Sequence, residues 1–182
     1  MCIRDRLLDM RPDIKIVPIR GNIPTRLEKV FGSDLDGVVV AMAGLNRLSR
    51  VDHVAQVFSV DEVVPCPGQG ALALEIRAGE EETEHIAASI DDFDTSISVG
   101  ADRWLLANFG GGCDLPLGAY ASVDKQGLTM ISMWLNGTTI SRSNISGSIT
   151  DPIFVAKNAF KNLMGSVDID VLNCSEEDRR YE

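Results

Sequence analysis

Apolar residues in the first third of the chain fall into short runs that alternate with stretches of helical period. Residues 14–19 are largely β-branched and residues 38–42 form an unbroken apolar run, which predicts two strands, the second buried and parallel. A helix is predicted over residues 25–31, and a short helix begins within residues 43–48. This order predicts a βαβ unit with a right-handed crossover.

Two more short apolar runs follow, separated by a turn that is rich in glycine and proline. Residues 62–65 and 71–77 are predicted strands, and residues 66–70 read Cys-Pro-Gly-Gln-Gly, a composition typical of a tight turn. The acidic stretch 78–82 is the candidate domain boundary, and a short helix is predicted over residues 83–90. The chain up to this boundary is therefore predicted to be part of an α/β domain.

A longer amphipathic helix opens the second predicted domain. Asp94 or Thr95 is its predicted N-cap, and it extends to about residue 109. Its apolar positions recur at helical spacing, which is more typical of a core-facing stripe than of a binding device. These positions are Ile97, Ala101, Trp104 and Leu105. Asp102 and Arg103 lie on the same helix, which leads into a glycine-rich segment.

Three strand patterns and one more helix complete this domain. The strands are predicted at residues 119–123, 128–135 and 138–141. Asn136-Gly137 is a strong hairpin signal. Asp151 is the predicted cap of the last helix, with Pro152 at its first position and Gly165 at its end. Its apolar face comprises Val155, Ala156, Ala159, Phe160, Leu163 and Met164. The pattern predicts a small α+β domain with a three-stranded antiparallel sheet and two covering helices.

The glycine-rich segment, residues 110–118, carries the strongest candidate nucleophile of the chain. Three consecutive glycines remove side-chain bulk, and Pro116 prevents a helix from continuing. Cys113 is therefore predicted to lie on a stiff, open loop, where a deprotonated thiol would be a strong nucleophile. The competing interpretation is a small buried cysteine in an ordinary loop. The residues alone leave both interpretations open.

Composition and charge narrow the class of protein. The chain has 182 residues, of which 45% are hydrophobic, enough for one large or two small domains. Four widely spaced cysteines and two histidines show no zinc-ligand pattern, which favours a reducing cytoplasm and no metal. The net charge is −10, and the acidic residues are concentrated after position 60. This balance argues against nucleic acid or an anionic membrane as a partner.

Three arginines lie where a small anion could bind. Arg20 and Arg47 come just after predicted strands or their following turns, and Arg26 falls in the first turns of a predicted helix. In open α/β sheets ligands bind beyond the carboxyl ends of strands, and guanidinium groups bind carboxylates in bidentate fashion. The alternative for each arginine is a solvated side chain or a structural salt bridge.

Four motifs together resemble the porphobilinogen deaminase family, also called hydroxymethylbilane synthase. Residues 20–27 resemble its RGNxxTRL segment, and residues 43–48 its AGLxRL segment. Residues 67–72 resemble its GQGA turn, and residues 111–118 its GGCxxPxG loop. Each motif is weak alone, but the four follow the family's order and spacing. The resemblance covers residues 7 to about 172.

The resemblance implies an activity in tetrapyrrole (porphyrin and haem) biosynthesis. A transferase of this family joins four porphobilinogen units head to tail, with release of ammonia, to give hydroxymethylbilane. Cys113 would carry one covalent dipyrromethane cofactor per chain through a thioether. Arg20, Arg26 and Arg47 would hold the acetate and propionate groups of the cofactor and growing polypyrrole. Gly44 and Gln69 would line the same cleft.

The resemblance also implies a domain organisation. Residues 7–65 would be the later part of a second, periplasmic-binding-like α/β domain that binds the cofactor carboxylates. Residues 66–80 would be a strand returning to a first domain. Residues 81–173 would be the C-terminal α+β domain that bears the cofactor cysteine, followed by a polar tail, 174–182. Residues 1–6 depart from the family pattern and are expected to be non-native sequence.

No carboxylate of the chain matches the family's catalytic aspartate, so the resemblance nominates no catalytic residue. We therefore expect the 182 residues alone to be inactive, and the parent protein to be a cytoplasmic monomer, with a plastid location left open. A non-catalytic module that binds small carboxylates is the second hypothesis, and it would need no thiol on the loop. A redox-active thiol protein is a third, weakened by the lack of a nearby resolving cysteine.

Overall fold

A computed structural model of the chain describes residues 3–110 and 115–165. The helices are α1 (Ile3–Met10), α2 (Ile23–Gly32), α3 (Met42–Arg47), α4 (Glu81–Ala88), α5 (Phe93–Asn108) and α6 (Pro152–Met164), with a 3-10 turn at Val51–His53. The strands are β1 (Leu117–Asp124), β2 (Gly127–Asn136) and β3 (Thr139–Gly147). The predicted tail, 174–182, lies outside the described residues. In the described ranges no helix is long and apolar enough to cross a bilayer.

The second half of the chain is an antiparallel sheet covered by two helices. The strand order is β1-β2-β3, and the register pairs Asp124 with Gly127 and Asn136 with Thr139, so both connections are tight. α5 and α6 pack on one face of the sheet and on each other. The buried core between them contains Leu105, Leu128, Met130 and Phe160, together with small residues of α6. The predicted small α+β domain is confirmed. β3 extends to Gly147 rather than residue 141, because it pairs along the full length of β2.

Both covering helices begin at aspartate caps. Asp151 Oδ1 accepts a hydrogen bond from the Phe154 N–H at 3.0 Å, and Pro152 occupies the first helical position, as predicted. α5 begins two residues earlier than predicted, because Asp92 is its cap and accepts the Thr95 N–H at 2.9 Å. The prediction of Asp94 or Thr95 as the cap was therefore wrong. Asp92, Asp94 and Thr95 are all possible cap residues within four positions, which made the choice ambiguous from sequence.

The first half of the chain does not form the predicted paired sheet. Residues 14–19, 38–42, 62–65 and 71–77 were predicted strands, and the structure describes no β-strand among residues 3–110. Residues 14–19 have no regular secondary structure, and Leu72 in the last segment is 96% exposed. A strand requires a neighbouring strand with which to exchange backbone hydrogen bonds, and the apolar pattern of a segment does not reveal that neighbour. The βαβ unit is thus not observed, although its two helices form as α2 and α3.

Residues 61–68, which we call the docked segment, join the first half of the chain to the α+β domain. The Ala119 N–H donates to the Pro65 carbonyl at 2.9 Å, and Arg142 Nη1 donates to the Asp61 carbonyl at 3.1 Å. Val64 is buried and packs with Met133 on the sheet face opposite α5 and α6. The docked segment therefore lies alongside β1 and carries the following turn to the edge of the domain.

Candidate functional site

The Arg-Gly-Asn motif at residues 20–22 builds the N-terminus of α2. Asn22 Oδ1 accepts hydrogen bonds from the Thr25 N–H at 3.0 Å and from Thr25 Oγ1 at 2.8 Å. Arg26 Nε donates to the Gly21 carbonyl at 2.7 Å, which folds the guanidinium back over the turn. This motif therefore has a structural role of its own. Nε of Arg26 is engaged, and this leaves the two Nη atoms of Arg26 for a ligand.

α3 lies against the beginning of α2 through a contact that depends on the size of residue 44. A Cβ built on Gly44 would overlap the Cδ1 atom of Ile23. Arg47 is one helical turn from Gly44, and Arg26 is one turn from Ile23, so each arginine follows the contact on its own helix. The contact brings the helix of Arg47 beside the helix of Arg26, with Arg20 immediately before the same turn.

Arg20 and Arg47 are exposed, and their guanidinium groups have no hydrogen-bond or ion-pair partner among the described residues. Unpaired guanidinium groups beside the N-terminus of a helix favour a ligand that carries carboxylates, because the helix dipole adds to their positive charge. We call Arg20, Arg26, Gly44 and Arg47 the arginine group. Arg26 lies on α2, Gly44 and Arg47 lie on α3, and Arg20 lies just before the Asn22 cap of α2.

Gln69 lies apart from the arginine group, on the Cys66–Gln69 turn at the end of the docked segment. The Gln69 N–H donates to the Cys66 carbonyl at 3.0 Å, and Gly68 has a φ of +70° after Pro67, which defines a type II turn. The contacts that anchor this turn go to α5 and β1. An open cavity of about 410 Å³ lies there, lined by the turn, by α5 and by residues 120–123 of β1.

Asp102 is a buried residue of this cavity's lining and links its three walls. Its Oδ2 accepts the Gly68 N–H at 3.1 Å, and its Oδ1 accepts the Ala121 N–H at 3.0 Å. The residue is 5% exposed, and burial raises the pKa of its carboxyl to about 6 against the opposing effect of these two hydrogen bonds. The sequence placed Asp102 on the helix but assigned it no role. The available signal was its position three residues before Leu105, at the border of the buried stripe.

Cys113 lies outside the described residues, so its position stays a prediction. The described residues on either side of it are held firmly. The Gly110 N–H donates to the Ala107 carbonyl at 2.9 Å, and the Leu135 N–H donates to the Pro116 carbonyl at 3.0 Å. Phe109, at the C-terminus of α5, packs against Trp134 and Phe160 with ring-centre distances of 5.0 and 4.9 Å. The loop is therefore attached at both ends to the core of the α+β domain.

Two sequence families match the chain. The family described as "Porphobilinogen deaminase, dipyromethane cofactor binding domain" matches residues 4–85. The family described as "Porphobilinogen deaminase, C-terminal domain" matches residues 96–165. The first match covers the arginine group and the Gln69 turn, and the second covers the α+β domain.

Individual relatives agree with these matches. The chain is 46% identical over 128 residues to the porphobilinogen deaminase of Syntrophotalea carbinolica, an alignment covering 70% of the chain and 41% of that protein. It is 37% identical over 149 residues to that of Carboxydothermus hydrogenoformans, covering 81% and 48%. It is 44% identical over 128 residues to that of Mycobacterium tuberculosis, covering 68% and 41%.

The chain spans about half the length of the curated relatives it matches. The two family matches nevertheless cover most of the chain, with the cofactor-binding domain first and the C-terminal domain second. The chain belongs to the porphobilinogen deaminase family.

Proposed function

We propose that the protein acts in tetrapyrrole biosynthesis, in the stepwise condensation of four porphobilinogen units into hydroxymethylbilane with release of ammonia. The reaction would take place on a dipyrromethane group linked to the Cys113 sulfur by a thioether. The observation that supports this most directly is the arginine group, in which the guanidinium groups of Arg20 and Arg47 have no partner among the described residues. Porphobilinogen and its products carry acetate and propionate side chains that such groups would bind.

The residues present fit a dipyrromethane group. Arg20, Arg47 and the Nη atoms of Arg26 can bind several carboxylates, and the absence of a side chain at Gly44 lets α3 contact Ile23 of α2. Gln69 offers an amide on the lining of the cavity of about 410 Å³. When bound, the dipyrromethane group would supply an electron-rich pyrrole carbon to which further units are added. The chain's own contribution is to bind and orient the carboxylates of the pyrroles.

The proposal extends to the organisation of the protein. We propose that residues 7–65 are the later part of a periplasmic-binding-like α/β domain, that 66–80 run toward a first domain, and that 81–173 form the C-terminal domain. We further propose a monomer in the cytoplasm, and we expect the 182 residues alone to form no hydroxymethylbilane. Detectable product from the purified chain with porphobilinogen would contradict this last expectation.

The covalent part of the proposal is tested by intact mass. Purified chain from cells that make porphobilinogen is denatured and weighed, because a thioether-linked dipyrromethane survives denaturation. We expect the added mass in the wild type and its loss in Cys113→Ser. Cys66→Ser is the matched control, since Cys66 is an exposed cysteine of the turn, and it should keep the added mass. Added mass in Cys113→Ser would overturn the assignment of the attachment site.

A second function, a non-catalytic module that binds small carboxylates, is favoured by the arginine group alone. It requires reversible binding and no covalent group. Wild-type chain that binds porphobilinogen but never carries added mass would support this module over the enzyme.

A further inference from the structure

Asp102 is the only buried charged residue of the described chain, and neither the family motifs nor the proposed carboxylate binding uses it. One carboxylate joins three separate segments: α5, on which it lies, the turn at Gly68 and the strand residue Ala121. A buried carboxylate is costly unless it is hydrogen bonded, and these two backbone N–H groups supply its partners. The position therefore requires an explanation beyond ordinary core packing.

Asp102 accepts a hydrogen bond from the Gly68 N–H, and the direction of this N–H distinguishes a type I turn from a type II turn. In a type II turn the central peptide is turned over relative to type I, so the N–H of the third residue points to the other side. Here that residue is Gly68, and its N–H points at Asp102. Asp102 thereby favours the observed orientation of the turn. The next residue of the turn is Gln69.

We propose that Asp102 is a positioning residue that fixes the Cys66–Gln69 turn against α5 and β1 and so places Gln69 on the lining of the cavity of about 410 Å³. This rests on the proposed function in one respect, the role of Gln69 in binding pyrrole side chains. The same carboxylate ties the turn to α5, whose C-terminus leads into the segment that contains Cys113. Asp102 therefore couples the position of Gln69 to the helix that precedes the cysteine loop.

The decisive variant is Asp102→Asn, which keeps size and shape but changes the hydrogen-bonding pattern. The amide oxygen of asparagine can accept one of the two N–H groups, whereas its NH₂ would face the other, donor against donor. Asp151→Asn is the matched control, because Asp151 also accepts a backbone N–H but lies at the start of α6, away from the cavity. Asparagine remains a good helix cap.

The experiment uses ¹⁵N-labelled full chain and two measurements. The first is hydrogen exchange at the amides of Gly68, Ala121 and Met130, of which Met130 reports on the buried sheet. The second is titration with porphobilinogen, followed through the side-chain amide of Gln69. In Asp102→Asn we expect exchange at Gly68 or Ala121 to be at least about tenfold faster and porphobilinogen binding to be roughly tenfold weaker. Exchange at Met130 should be unchanged, and Asp151→Asn should match the wild type in both measurements.

The outcomes separate the positioning role from the proposed function. Unchanged exchange at both Gly68 and Ala121 overturns the inference, and so does faster exchange with unaltered porphobilinogen binding, since the contact would then be structural only. If the wild type itself does not bind porphobilinogen, the proposed function fails. The positioning role is then decided by the NMR signals of the Gln69 side-chain amide. These signals must shift in Asp102→Asn and remain unshifted in Asp151→Asn. Should Asp102→Asn not fold, Asp102→Glu keeps the charge but displaces the carboxylate, and the same shifts in the same amides are required.

Discussion

Gly118 in β1 lies so close to Val64 that a Cβ at position 118 would stand 3.0 Å from both the Cβ and the carbonyl oxygen of Val64. The close approach lets the docked segment run beside β1, where the neighbouring Ala119 N–H reaches the Pro65 carbonyl. The backbone oxygen of Val64 cannot move aside as the end of a side chain could. The size of residue 118 therefore controls whether the docked segment stays in place.

Gly118→Ala should displace the docked segment from β1 while the three-stranded sheet persists. We expect the Ala119 amide to lose protection from hydrogen exchange and the exposure of Met133 to rise, because Val64 would no longer cover it. Gly100→Ala is the control, since a Cβ there meets nothing within 4 Å and alanine favours the helix, by up to about 1 kcal/mol. Equal protection at Ala119 in both variants would contradict the argument.

The arginine group predicts a specific pattern of binding defects. Arg20→Gln and Arg47→Gln should each weaken porphobilinogen binding by about tenfold or more, because a charge-assisted hydrogen bond contributes about 1.5–3 kcal/mol. Arg77→Gln removes the same charge from an exposed pair with Glu80 and should leave the affinity as in the wild type. Calorimetric titration of the three variants checks this. A loss that is equal in all three would indicate a general charge effect instead of a site.

The pKa of Asp102 predicts a pH dependence of stability. Because its pKa is about 6 in the folded chain and near 3.8 in the unfolded chain, the folded state retains a proton that the unfolded state has lost between these values. Its stabilising contribution is therefore complete below pH 3.8 and is lost as the pH rises through about 6. Each pKa unit corresponds to about 1.4 kcal/mol, so the loss should reach roughly 3 kcal/mol.

Urea denaturation of wild type and Asp102→Asn between pH 4.5 and 7 measures most of this loss. The wild type should lose stability relative to Asp102→Asn as the pH rises. Other titratable groups belong to the same elements: Asp94 and Tyr120 line the cavity, Cys66 lies in the Cys66–Gln69 turn and Arg103 is the next residue of α5. Because both proteins contain these groups, the difference between the two curves reports on Asp102. Hydrogen bonds from Thr95 lower the pKa of Asp92, so Asp92 titrates below this pH range. In that lower range it makes stability rise with pH, opposite to the effect of Asp102. Parallel curves for the two proteins would show that Asp102 does not titrate as described.

The cap of α6 predicts a smaller, purely structural effect. Asp151→Ala removes the acceptor of the Phe154 N–H and should lower the free energy of unfolding by about 1 kcal/mol. Asp151→Asn restores an acceptor and should recover most of that loss. Urea denaturation at pH 7 of the two variants gives the comparison. Equal stability of Asp151→Ala and Asp151→Asn would mean that this hydrogen bond makes no net contribution to the free energy of unfolding.

Sequence patterns predicted the α+β domain well, because its contacts are local along the chain. Asn136-Gly137 specifies a tight connection, and the apolar period of α6 predicts its buried face, in which five of the six predicted residues are buried. The pattern could not define the first half in the same way. Residues 14–19 and 38–42 have strand-like composition, but a ladder depends on neighbours that their own residues do not encode.

For the candidate site, too, the sequence predicted some features and missed others. The resemblance named Arg20, Arg26 and Arg47, and the residues show why the turn before α2 forms, through the cap at Asn22. It did not show that one nitrogen of Arg26 is already used by the Gly21 carbonyl. Asp102 was missed because its partners are backbone N–H groups 34 and 19 residues away, which carry no side-chain signature.

The docked segment is fastened to the C-terminal domain through Arg142, Ala119 and Asp102. Arg6 Nε of α1 also donates to the Glu62 carbonyl at 2.5 Å, so the docked segment connects α1 to the sheet as well. An excised C-terminal piece that starts at position 81 would expose Met133 and leave Asp102 facing solvent. A piece that starts at position 61 would keep Val64 packed on Met133 and the Gly68 N–H bonded to Asp102.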